Sequence, residues 1–319
     1  MVDGMRKAAN KIKQAKTIAI ACHINPDGDC IGSLLSLGLG LKKLGKTVYM
    51  LSSDPIPKKY LVLPGADKIL KTVPRAKIDL GITVDCSTKE LLGTSYKELQ
   101  KADYIAEMDH HAVRGTFGDL EVIDLKASAV GEIIYRLLVM LKVEITKDIA
   151  ENILTSIVVE TNSFRLPNVR AYTFFVCEQM LKTGVNFYHL TEAVYWTSTK
   201  STAVLSGLCL ARCKFAKKGK LVWSNIKGHD FDRVSGTEDD VDAVADEMRA
   251  IKDVTVAVLF REKRNGDLRV SLRSKGNINV AILAERWGGG GHADVAGCVI
   301  PNKKGNVDKM LEQAKALIK

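Results

Sequence analysis

Three short, mainly apolar runs in this chain each end in a histidine or an aspartate. Residues 17–22 lead into His23, residues 78–84 into Asp85, and residues 103–108 into Asp109. Runs of this length, bounded by turn residues, read as buried strands. Asn25-Pro26-Asp27-Gly28 marks a turn after the first of them, and residues 30–44 read as the helix that follows. A further strand is expected at 47–51 and a polar helix over 88–101. Strands alternating with helices predict an α/β fold with a doubly wound, mainly parallel sheet. The C-terminal ends of such strands share one edge, and ligands bind just outside it. His23, Asp27, Asp29, Asp85 and Asp109 are therefore expected to converge from distant positions.

The stretch 128–199 reads as helical. Within it, Ile149, Ile153, Ile157 and Val158 give 147–161 an apolar face, and that helix delivers Glu160 at its end. Past a helical connector the pattern changes. A strand is expected at 220–225, a helix at 238–252, and two strands at 254–260 and 268–274 joined across Asn265-Gly266, a hairpin signal. A helix at 277–287 then runs into Gly288, Gly289, Gly290, Gly291 and His292, followed by a short strand at 298–300. The expected organisation is a catalytic domain at 1–190, a connector at 191–212 and a smaller α/β substrate-binding domain at 213–319.

Composition narrows the class. No window approaches the roughly 18 consecutive apolar residues of a membrane span, and the N-terminus has no signal-peptide core. A cytoplasmic protein without membrane association is expected. Seven irregularly spaced cysteines argue against a disulfide framework. The formal net charge of +10 favours polyanionic partners such as nucleotides or RNA.

The chemistry lies in the converging set: His23, Asp27, Asp29, Asp85, Asp109, His110, His111 and Glu160. So many carboxylates, with no lysine among them, would repel one another. A pair of divalent cations removes that problem, and oxygen-rich ligation with one or two imidazoles suits Mn²⁺ or Mg²⁺ better than a sulfur-rich zinc site. Two-metal sites place their ions about 3.5–4 Å apart across a phosphoryl group. The glycine run could be a helix C-terminus, yet four glycines exceed what a cap needs, and bare backbone can offer N–H groups to phosphate.

These residues carry a resemblance. Asn25-Pro26-Asp27-Gly28-Asp29 after His23, Val84-Asp85, Asp109-His110-His111 and Glu160-Thr161-Asn162-Ser163-Phe164-Arg165 resemble the four motifs of the DHH phosphoesterases. Gly288-Gly289-Gly290-Gly291-His292 with Ala296-Gly297 resembles the signature of the DHH-associated C-terminal domain. The short two-domain build is most similar to the NrnA-like branch. The resemblance implies that His23 and Asp27 bind one metal, that Asp29, His110 and Glu160 bind the other, and that Asp85 bridges them. It makes Asp109 the residue that orients the histidine pair or the attacking water, and sets His111 beside the scissile phosphate. Glu160 departs from the usual aspartate by one methylene. Gly289, Gly290, Gly291 and His292 would contact substrate, with Arg273 on a phosphate because Ser271-Leu272-Arg273-Ser274 matches the family pattern there.

The implied activity is hydrolysis, in a cleft between the domains, of short oligoribonucleotides to 5′-mononucleotides and of 3′-phosphoadenosine-5′-phosphate (pAp) to AMP. The alternative is a phosphodiesterase for dinucleotides such as c-di-AMP or pApA. A family-II pyrophosphatase shares the first domain's chemistry but lacks the glycine–histidine signature. A non-catalytic nucleotide-binding module would have lost metal ligands, and here only Glu160 deviates. The resemblance also admits a homodimer.

Overall fold

The computed structural model describes residues 2–74, 77–112, 114–196, 198–291 and 293–318. The chain divides into two compact units, Met1–Thr197 and Ser198–Lys319. Residues 191–212 thus fall partly in each.

In the first unit, β1 (Thr17–Ala21), β2 (Thr47–Leu51), β3 (Ile69–Leu70), β4 (Leu80–Val84), β5 (Ile105–Asp109) and β6 (Leu120–Ile123) form one sheet. Its order is β3-β2-β1-β4-β5-β6, and every neighbouring pair is parallel. The strand order reverses between β1 and β4, where crossovers leave opposite faces and a crevice opens. His23 follows β1, Asp85 follows β4, and Asp109 closes β5, so the expected convergence falls at this switch point.

Seven helices of this unit are α1 (Val2–Gln14), α2 (Gly28–Lys43), α3 (Ser95–Leu99), α4 (Val130–Met140), α5 (Lys147–Glu160), α6 (Ala171–Leu181) and α7 (Phe187–Tyr195). The Asp27 carboxylate caps α2 by accepting the Cys30 N–H at 3.0 Å. Nearly every residue from Gly28 to Leu41 is buried, as expected for a helix covered on all sides. A Cβ at Gly32 would lie 2.4 Å from the Asn152 carbonyl oxygen, and one at Gly131 would lie 2.3 Å from Ser156 Oγ. Only glycine lets α2, α4 and α5 close up around Ser156. Ile153 and Ile157 of α5 are fully buried. Truncating such a side chain costs about 2–5 kcal/mol, so core packing fixes the helix that presents Glu160.

The second unit contains α8 (Lys200–Ala211), β7 (Lys214–Ala216), β8 (Leu221–Ile226), α9 (Gly228–Val234), α10 (Val244–Ala250), β9 (Val256–Glu262), β10 (Leu268–Ser274), α11 (Ala281–Glu285), β11 (Gly290–Gly291), β12 (Val295–Ile300) and α12 (Asn306–Ala316). Its sheet runs β11-β12-β10-β9-β8-β7. It is mixed: β8 and β9 pair in parallel and the other neighbours are antiparallel. One face packs on α11 and α12 through Leu283 and Met310, the other on α8 and α10 through Leu205 and Met248.

Several expected elements differ in extent. The helix expected over 88–101 is a 3₁₀ turn at Lys89–Leu92 and then α3, parted by Gly93 at φ +54°. The helix expected at 238–252 is likewise a 3₁₀ turn, Glu238–Val241, before α10. The strands β3, β6 and β7 are short edge or near-edge pieces that the apolar pattern does not mark. All seven cysteines are unpaired. Among the described residues, no helix is long and apolar enough to cross a membrane.

Candidate metal centre

Asp85 stands at the middle of the converged set. It is buried, and its backbone adopts φ +54°, a left-handed conformation uncommon for an aspartate. Non-glycine residues are held in such conformations chiefly where surrounding structure over-determines them, often at functional sites. The Asp85 N–H donates to the Met108 carbonyl at 3.0 Å, which ties β4's end to β5. One Asp85 oxygen lies 3.6 Å from His23 Nε2, and the other lies 3.8 Å from His110 Nε2 and 3.6 Å from His111 Nδ1.

Two donor groups share this carboxylate: His23, Asp27 and Asp85, and Asp85, His110 and His111. In each, one ligand atom per residue lies within 4.8 Å of the others. Asp27 Oδ1 is 3.8 Å from His23 Nε2. Around His110 Nε2 stand Asp29 Oδ2 at 3.7 Å and Glu160 Oε1 at 3.7 Å. The structure therefore brings together all eight residues singled out in the first unit.

The donors suit divalent cations. His23 Nδ1 bonds the Ile24 carbonyl at 2.7 Å, and His110 Nδ1 bonds the Ala127 carbonyl at 3.0 Å. A carbonyl only accepts, so each Nδ1 carries the hydrogen and each Nε2 faces inward, the nitrogen a metal ion would take in place of a proton. Asp85 Oδ1 is buried with no hydrogen-bond partner among the described residues. A buried carboxylate oxygen left this way is costly unless a cation meets it.

The titration pattern tells the same story. Burial, with Asp85 and Asp27 nearby, pushes Glu160 up to about 8. Burial, with Asp85, Glu160 and Asp27, raises Asp29 well above the ordinary carboxylate range. Burial disfavours the His23 cation, yet hydrogen bonds and charge from Asp27 and Asp85 outweigh it and carry the ring up to about 12. Like charges crowd here, and bound cations would offset them.

Asp109 plays a different part. Its Oδ1 accepts the His110 N–H at 2.7 Å, the His111 N–H at 3.3 Å and His111 Nδ1 at 2.7 Å. The hydrogen bond from His111 offsets the burial of Asp109 and holds its carboxyl below the usual range. The same bond is the main reason His111 is raised to about 9. The two rings meet edge to face, 4.9 Å between centroids.

Sequence reasoning missed the partners that hold Asp29. Its Oδ1 accepts Ser156 Oγ at 2.6 Å and Ser33 Oγ at 3.1 Å, and its Oδ2 accepts the Val130 N–H at 2.9 Å. Both serines were findable by spacing: Ser33 is one turn after Asp29 on α2, and Ser156 one turn before Glu160 on α5.

In the second unit the glycine run is divided. Gly288, at φ +73°, and Gly289 end α11, their N–H groups donating to the Glu285 and Ala284 carbonyls. Gly290 and Gly291 form β11, exposed and paired with Gly297 and Ala296 at the sheet's edge. A Cβ at Gly289 would lie 2.1 Å from the Gly297 carbonyl oxygen. Arg273 on β10 donates Nε to both oxygens of Asp246 at 3.1 Å. His292 lies outside the described residues.

This parallel sheet, with histidines and carboxylates at its switch point, matches the DHH family, N-terminal domain, over residues 17–158. Residues 231–319 match the DHHA1 domain. The chain belongs to the DHH family. It is 30% identical over 300 residues, 93% of this chain and 88% of the relative, to the bifunctional oligoribonuclease and PAP phosphatase NrnA of Thermus thermophilus. Among solved structures it resembles an exopolyphosphatase-related protein from Bacteroides fragilis, with a TM-score of 0.93 at 22% identity, covering 100% of this chain and 98% of that one. The exonuclease RecJ bound to manganese shares the fold at a TM-score of 0.60 and 15% identity, covering 98% of this chain and 94% of that one.

Proposed function

We propose that this chain is a two-metal phosphoesterase that hydrolyses short oligoribonucleotides to 5′-mononucleotides and pAp to AMP. The observation that carries the proposal is Asp85, shared by two donor groups and holding a buried oxygen without a partner. The similarity to NrnA over 93% of the chain supports the substrate class. His23 and Asp27 would hold one ion, Asp29, His110 and Glu160 would hold the other, and Asp85 would serve both. The oxygen-rich set favours Mn²⁺, with Mg²⁺ as the alternative. When bound, such ions supply hydroxide near neutral pH and offset charge on the phosphoryl oxygens.

The chain's own residues do the positioning. The backbone carbonyls of Ile24 and Ala127 fix the tautomers of His23 and His110. Asp109 occupies His111 Nδ1, which leaves Nε2, on a ring 36% exposed, for a proton shared with a phosphoryl or leaving oxygen. In the second unit, Arg273, Gly289, Gly290, Gly291 and His292 form the nucleotide-binding set. A phosphate arriving at Arg273 exchanges with Asp246, a replacement of one anion by another at the same guanidinium.

Glu160 tests the second metal position. Glu160→Gln keeps the shape and removes the charge, and is expected to cut turnover by at least about 100-fold, the scale of losing one preorganised charge contact. Glu160→Asp restores the family's usual residue and is expected to lose far less. Wild-type turnover and metal content in Glu160→Gln would return Glu160 to an ordinary helix-end charge.

Substrate length tests the reaction. Aromatic residues are only 6% of the chain, which leaves little for an extended stacking surface along a strand. A dinucleotide and a pentanucleotide should be cleaved efficiently and a long RNA poorly, compared at equal concentration of ends. Equal rates on the long strand would point to a RecJ-like exonuclease instead.

A further inference from the structure

We propose that Arg114 is a positioning residue for this centre, acting through Asp109 to set the orientation of His111. The inference rests on the role given to His111 above. Two buried orphans meet at its heart. Asp109 Oδ2 and Arg114 Nε each lack a hydrogen-bond partner among the described residues, and they face each other at 3.7 Å.

The rest of Arg114 is anchored. Its Nη2 donates to Glu107 Oε2 at 2.5 Å, and its Nη1 donates to Glu121 Oε1. Glu107 is fully buried and also accepts the Phe117 N–H at 2.9 Å and the Gly118 N–H at 2.5 Å. The Gly115 N–H donates to the Ser87 carbonyl at 2.9 Å. These contacts pin the segment after His111 onto β5 and the β4 end, with the guanidinium aimed at Asp109.

The consequence concerns how the Asp109 carboxylate faces His111. Asp109 Oδ1 already takes three donors, including His111 Nδ1. Two of those donors are backbone N–H groups that hold Oδ1 in place, so a cation on the Oδ2 side acts by fixing the tilt of the carboxylate plane that His111 Nδ1 meets. With the guanidinium there, one oxygen is held toward Arg114 and the other toward His111. A slip of a few tenths of an ångström would bring Nε to hydrogen-bond distance. Pinning the loop alone needs only Glu107 and the two backbone N–H groups. The third carboxylate within reach of Arg114 is what connects it to the chemistry.

Three changes and a reference test this in metal-loaded protein. Arg114→Lys keeps the charge and loses the fork. Arg114→Met with Glu107→Gln removes the buried pair together, so no lone charge stays behind. Glu121→Gln removes only the outer partner. His111→Gln is the reference for the role of His111 itself. The readouts are metal content, kcat and KM on a dinucleotide, and the downfield proton resonance of His111 Nδ1–H in the Mg²⁺-loaded protein, assigned by its loss in His111→Gln. Both Arg114 proteins should keep their metals and KM, lose about 10- to 100-fold in kcat, and show the resonance shifted upfield or lost. Glu121→Gln should behave as wild type. Should His111→Gln be crippled while a folded Arg114→Lys keeps wild-type kcat, or loses kcat with the resonance in place, the inference fails and the role of His111 stands. Should His111→Gln itself keep full activity, the underlying assignment fails.

Discussion

Asp85→Asn should leave a folded protein that neither binds its full complement of metal nor turns over substrate. Asparagine is nearly the same size as aspartate and tolerates the left-handed backbone found at this position, φ +54°. The fold therefore has no steric reason to fail. What disappears is a carboxylate within 4 Å of the inward nitrogens of both His23 and His110. An amide also points a donor where a cation should sit. Residues that act as a unit lose nearly everything when one is removed, so a fall on the order of 10⁴-fold in kcat is expected. Elemental analysis alongside steady-state rates checks it. Full activity with both ions present would remove Asp85 from the centre of the account.

Asp109→Asn should be almost as damaging for a different reason. Asp109 lies in the core, and its Oδ1 is committed to His110 N, His111 N and His111 Nδ1 rather than to a cation. Metal content should therefore survive. The amide can turn its NH₂ group toward His111, whose Nδ1 must then accept, leaving the neutral Nε2–H tautomer in place of the cation that the Asp109 carboxylate stabilises. A wrong-tautomer change of this kind costs about 10⁴-fold in serine proteases, and a loss of about 10²–10⁴ in kcat with little change in KM is expected here. Loss of metal equal to the loss of activity would instead make Asp109 a ligand.

How much of this was legible follows from what each signal depends on. The strand ends could be read because a strand's last apolar residue and the first polar one after it are local facts. His23, Asp85 and Asp109 needed only that rule and the sheet's single direction to be brought together. Glu160 was legible from the apolar face of α5. Asp29's backbone partner was not: the Val130 N–H that it accepts is 101 residues away, and no local pattern announces it. Arg114 and Glu107 were invisible for another reason: a buried ion pair looks in sequence like two surface charges. The extents of the helices at 88–101 and 238–252 were misread because composition does not distinguish a short 3₁₀ turn from a helix. The glycine run showed its turn chemistry, while the closeness of Gly289 to the Gly297 carbonyl appears only when β12 folds back beside it.

The most direct test of the central claim offers the Mn²⁺-loaded protein pAp, di- to pentaribonucleotides and c-di-AMP in parallel, with products separated by chromatography. AMP should be released from pAp and 5′-mononucleotides from the short ribonucleotides, both lost on chelation and restored by Mn²⁺. Turnover that persists after chelation, or opening of c-di-AMP with no AMP released from pAp, would contradict the claim.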